Sequence, residues 1–169
     1  MGASASKGRS FTWILDHLRD GNGRALPRSL FWLIEKAAAR ERDQPRAKGS
    51  HLLGHVSVRQ ALEEVSREFV RQAETSELMW LPGVRARLKE SKEVPWPRRK
   101  LLGLLKTNFD ENWGAGEEPV RPPGLDSEQV LESLIDLGVV RERPDKNLDV
   151  PDLYLAGLGL TRRGGVQRE

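Results

Sequence analysis

Apolar residues recur every three or four positions along much of this chain, and clusters of proline, glycine and short polar residues stand between the stretches that show it. That alternation calls for short amphipathic helices joined by loops. Phe11, Ile14, Leu15 and Leu18 keep helical spacing until Asp20-Gly21-Asn22-Gly23, a run suited to positive φ and to reversing the chain. Pro27 suits the first position of a second helix, where its missing N–H costs nothing. Leu30, Leu33, Ile34, Ala37 and Ala38 form its apolar stripe beside Arg28, Lys36 and Arg40. Residues 43–50 carry turn formers and charges without periodicity and are expected to link two lobes. Ser57 and Gln60 match a capping box ahead of Val58, Leu62, Val65, Phe69 and Ala73. Residues 78–90 fit a shorter helix.

Pro95-Trp96-Pro97 blocks helix until Pro97 can open the next one, along which Leu101, Leu102, Leu105 and Phe109 line one face. Residues 114–124 are dense in breakers and must be a loop. Asp126 and Gln129 make a second capping box, Val130, Leu131, Leu134 and Ile135 a buried stripe, and Gly138 stands where a left-handed C-cap belongs. Residues 139–150, with Pro144-Asp145-Lys146-Asn147 at their centre, read as a β-hairpin.

The fold class expected is mainly α: a helical lid-like segment followed by a winged helix-turn-helix with a small β-hairpin wing. Residues 1–10 are expected to be a flexible leader, 11–50 the lid-like segment and linker, 51–155 the winged helix, and 156–169 a basic Gly-rich tail. A chain of 169 residues has room for one ordinary domain or two small ones.

Several chemistries are excluded by what is missing. There is no cysteine, hence no disulfide, thiol nucleophile or thiolate zinc site. A Gly-x-Ser-x-Gly elbow, a His-Glu-x-x-His helix and a Gly-x-x-x-x-Gly-Lys-Ser/Thr loop are absent, so no catalytic residue, cofactor or metal site is assigned and the chain is not expected to be an enzyme. The 20–23 string does not fit a calcium loop, because Leu18 and Ser29 would fall on ligand positions that need carboxylates. His51 and His55 lack a third ligand at any useful spacing. No run has the roughly 18 consecutive apolar residues of a membrane span, and residues 1–10 lack the apolar core of a signal peptide, so a cytoplasmic protein is expected.

Charge is unevenly spread. The net +3 divides into +8 over residues 1–100, −6 over 101–150 and +1 over the last nineteen. A helix that reads DNA presents cations or amides to base edges and phosphates. The expected third helix instead holds Glu128, Glu132 and Asp136 and no Lys or Arg, which points to contacts with a basic protein surface. The alternative, a winged-helix DNA-binding module holding phosphates, would use Arg98, Arg99, Lys100, Arg141, Arg143, Arg162 and Arg163.

Three stretches carry a resemblance: Phe11-Thr12-Trp13-Ile14-Leu15 through Asp20-Gly21-Asn22-Gly23 to Pro27-Arg28-Ser29-Leu30; Ala61-Leu62-Glu63-Glu64-Val65-Ser66; and Leu134-Ile135-Asp136-Leu137-Gly138-Val139-Val140. With them the chain resembles the C-terminal part of bacterial P-loop ATPases of the STAND and AAA-like kind, where a helical lid and then a winged helix follow the nucleotide domain. The resemblance implies that Arg28, in the Pro-Arg pair opening the lid helix, senses the nucleotide γ-phosphate, a role that suits a permanently charged guanidinium. It also implies an ATPase domain or another protein as partner, and a non-catalytic regulatory task.

Overall fold

A computed structural model describes residues 10–43, 53–106 and 109–163. The leader expected at 1–10, apart from Ser10, lies outside these residues, as do 44–50 of the expected linker, His51 and the end of the expected tail. Among the described residues the chain is mainly helical with a few short strands. The elements are α1 (Ser10–Leu18), α2 (Pro27–Asp43), α3 (His55–Thr75), α4 (Leu81–Leu88), β1 (Glu93–Val94), β2 (Trp96–Pro97), α5 (Arg98–Leu105), α6 (Ser127–Asp136), β3 (Arg141–Glu142), β4 (Asn147–Asp149), α7 (Asp152–Leu155) and β5 (Thr161–Arg162). No helix among these residues is long and apolar enough to cross a membrane.

The apolar spacing of α3 works as expected. Val58, Leu62, Val65 and Phe69 are all buried, and α2 packs along this helix more extensively than any other pair of elements meets. Behind α3 lies α7, whose Tyr154 meets Phe69 edge to face at 5.2 Å, while Ser66 Oγ accepts from the Gly157 N–H at 2.9 Å. One continuous apolar core runs from Leu18 through Leu33 and Ala37 to Trp96, Trp113, Leu134 and Leu160.

Helix ends follow local chemistry at α6 and depart from it at α3. Asp126 Oδ1 accepts from the Gln129 N–H at 2.9 Å, and Gln129 Oε1 returns to the Leu125 N–H at 2.9 Å. Gly138 takes φ 73°, and its N–H reaches Ile135 O at 2.9 Å. The capping box expected at Ser57 and Gln60 does not form. The helix begins three residues earlier, at His55 behind Gly54, whose N–H donates to Glu41 Oε1 at 2.7 Å, and Ser57 is buried inside the first turn.

Two small sheets complete the molecule. β3 and β4 pair antiparallel as the expected hairpin, and β2 joins the far side of β4, giving the order β2-β4-β3 with α5 and α6 inserted between β2 and β3. β1 pairs in parallel with β5. Residues 156–163, expected within a basic tail, are therefore packed. Leu158 and Leu160 are buried, and the edge of β1 offers β5 a ladder that no local pattern announces.

Candidate functional site

The turn between α1 and α2 is held by one carboxylate. Asp20 Oδ1 accepts from the backbone N–H groups of Asn22 (2.9 Å) and Arg24 (2.8 Å), and Gly23 supplies the positive φ of 78° that the reversal needs. Residues 22–28 are exposed beyond it, leading into α2 through Pro27. Arg28 lies in the first turn of α2, exposed, with its guanidinium 5.1 Å from the Trp32 ring centre. Among the described residues no carboxylate pairs with Arg28 or with Arg24.

The stripe expected on α2 is only half covered. Ser29, Leu33 and Ala37 face the core, whereas Ile34 is 44% and Phe31 69% exposed, and Leu26 just ahead of the helix is 43% exposed. The cause is geometric. A single neighbour such as α3 covers one narrow face of a helix, and the apolar residues of α2 extend around more of its circumference. This exposed patch was not legible from periodicity, because periodicity reports that a stripe exists and not how much of it is covered.

The same turn reaches across to the far end of α6. Gly21 N–H donates to Gly138 O at 2.7 Å, and Asn22 Nδ2 donates to Asp136 O at 2.8 Å. Tyr154 of α7 lies in the field of Asp20 and Glu77. Burial first, then those two carboxylates, push its hydroxyl up to about 12. The turn that precedes the helix carrying Arg28 is thus bonded directly to the junction of α6 and the hairpin.

The acidic residues of α6 divide. Glu128 accepts from Arg98 Nε at 3.1 Å and from Nη2 of the same guanidinium, so an acid expected to meet a basic partner is neutralised within the chain. The reason is that α5 packs against α6 and brings Arg98 beside its first turn. Glu132 and Asp136 are exposed, without a pairing cation among the described residues.

The cations expected to hold phosphates are largely committed too. Arg141 Nη2 lies 3.0 Å from Asp149 Oδ2, Arg143 Nε 3.7 Å from Asp145 Oδ1, and Arg163 Nε 3.4 Å from Glu93 Oε2. Arg162 points inward. Its Nη1 sits 2.7 Å from both oxygens of Asp149, and its Nη2 donates to Val150 O and Asp152 Oδ1, each at 3.0 Å. Only Arg99 and Lys100 of that set are exposed and unpaired among the described residues.

Asp149 is the centre of this cluster, and it was missed from sequence. It is 1% exposed and takes four hydrogen bonds, including the Val150 N–H at 2.9 Å. Burial alone would raise its carboxyl, but the hydrogen bonds from Arg162 and Arg141 outweigh burial and hold it below the usual carboxylate range. The available signal was a lone acid between Leu148 and Val150 in a strand. A cleft of about 420 Å³ beside it is lined by Arg141, Glu142, Arg143, Pro144, Asp149 and Arg162.

His55 is exposed, with its ring centre 5.7 Å from that of Trp13. No group of three or more metal-ligating side chains occurs among the described residues. No family model, curated protein or solved structure matches the chain. Its own residues therefore carry the functional reading.

Proposed function

We propose that this chain is a non-catalytic regulatory module that couples the nucleotide state of a P-loop ATPase domain to a protein partner, in the manner of the STAND and AAA-like proteins it resembles. In this reading α1 and α2 form the lid-like contact, and the expected unit of residues 51–155, from α3 to the hairpin, is the winged helix-turn-helix. The strand order β2-β4-β3, with two helices between β2 and β3, supports that architecture.

One observation carries the functional reading. Leu26, Phe31 and Ile34 are exposed within nine residues, in the same stretch as Arg24 and Arg28, whose guanidiniums no carboxylate pairs among the described residues. An apolar patch next to free cations fits a protein surface that carries an anion at its edge, such as a bound nucleotide. Covering Phe31 is worth on the order of 1–2 kcal/mol, since about a third of it is already shielded. The hydrogen bonds from Gly21 and Asn22 to the end of α6 give a movement of the lid a direct route to the hairpin.

DNA binding is the weaker reading, because five of the seven cations it needs are engaged by carboxylates. The test of the favoured one is recovery of the chain with its bound proteins from its native cells. A phosphate-binding-loop ATPase should be present. Phe31→Asp should weaken that association more than tenfold while changing folding stability by no more than about 0.5 kcal/mol, as expected for an exposed side chain. Arg28→Ala should leave the association intact and change the rate of nucleotide hydrolysis or exchange. Absence of any such ATPase, or indifference of its rate to Arg28, would overturn the proposal.

A further inference from the structure

Two neighbouring segments of the chain carry opposite charge. Residues 85–106 hold eight Lys and Arg against two Glu, and residues 110–136 hold eight Asp and Glu against one Arg. Internal ion pairs neutralise part of each. Among the described residues, the charges left exposed without an ion pair are mostly cations in the first segment (Lys89, Lys92, Arg99, Lys100 and Lys106, against Glu90) and all acids in the second (Glu117, Glu118, Asp126, Glu132 and Asp136). Along α5, Arg99 and Gly103 share one side at four-residue spacing, Lys106 follows at the C-terminal cap, and the position of a Cβ on Gly103 is open with nothing within 4 Å.

We infer that this face of α5 is a docking surface for a second copy of the same chain, which presents its acidic α6 face in a head-to-tail arrangement. Charge complementarity decides the occupant, since each copy carries both the cations and the carboxylates that match them. Leu125, 84% exposed, and Leu137, 43% exposed, bracket α6 and add apolar contact where the open backbone at Gly103 allows close approach. Because the two faces differ, the contact is heterologous and builds rings or open chains rather than a closed pair. Exposed ion pairs are individually weak and are screened by salt, so the association is salt-sensitive.

Sedimentation of the full chain over a range of concentrations tests this at about 25 mM and about 500 mM salt. The mass should rise with concentration at low salt, and the association should weaken at least tenfold at high salt. Arg99→Glu with Lys106→Glu should stay monomeric, as should Glu132→Lys with Asp136→Lys, both with the thermal unfolding of the parent. An equimolar mixture of the two variants should associate again, because the reversed faces match. A monomer at low salt would overturn the inference, as would a mixture that fails to re-associate. So would a monomer that binds labelled duplex through Arg99 and Lys100, which would assign the face to phosphates.

Discussion

Replacing Asp149 by alanine should remove about 2–4 kcal/mol of unfolding free energy by releasing the hairpin from β5. Breaking a buried ion pair from one side costs about 3–5 kcal/mol because the remaining charge stays buried without compensation. The lower figure applies here, since Arg162 is about a third exposed and keeps Asp152 and Val150 O as partners. The carboxylate joins β4, which carries it, to Arg141 of β3 and Arg162 of β5. Urea unfolding of parent and variant at neutral pH measures the difference directly.

The pH dependence follows from the direction of the Asp149 shift. Its folded-state pKa lies below the unfolded value of about 3.9, so the protonated form is the less stable one in the folded protein. The stabilisation is fully present above the unfolded pKa and is lost as the pH falls through the folded one. Parent stability should therefore drop below about pH 4, and Asp149→Asn should flatten that part of the profile. An alanine variant as stable as the parent would show that the cluster is a solvated surface network with no structural weight.

Local chemistry specified α6 almost completely. The Asp126 cap, the buried Val130, Leu131 and Leu134, and the left-handed Gly138 each depend on residues within four or five positions of one another. The hairpin was legible for the same reason. What escaped was long-range. Arg162 and Asp149 are 13 residues apart and Arg98 and Glu128 are 30, so nothing in their neighbourhoods marks them as partners. The expected set of phosphate-binding cations dissolved because tertiary packing placed a carboxylate beside most of them. The fate of residues 156–163 has the same origin. Their glycines suggested mobility, but the edge of β1 and the space over α3 gave Leu158 and Leu160 somewhere to be buried. On α2, the same kind of apolar spacing that yielded a buried face on α3 left Phe31 and Ile34 exposed.

Gly138→Ala should cost about 3 kcal/mol, whereas Gly23→Ala should cost only about 1 kcal/mol. Both glycines hold left-handed φ, 73° and 78°, so the intrinsic penalty of an L side chain is nearly the same at the two sites. Their surroundings differ. A Cβ on Gly138 would stand 2.9 Å from Asp20 Cγ and 3.1 Å from the Gly21 nitrogen, while one on Gly23 would meet nothing within 4 Å. Relieving that contact means displacing Asp20, whose Oδ1 holds the Asn22 and Arg24 N–H groups, and with it the Gly21 to Gly138 hydrogen bond. Denaturant unfolding gives the two costs, and amide exchange at Gly21 should accelerate in the Gly138 variant alone. Equal costs would mean that the contact between the α1–α2 turn and the end of α6 carries no free energy. A movement of the arm bearing Arg28 would then have no route to the hairpin through these bonds.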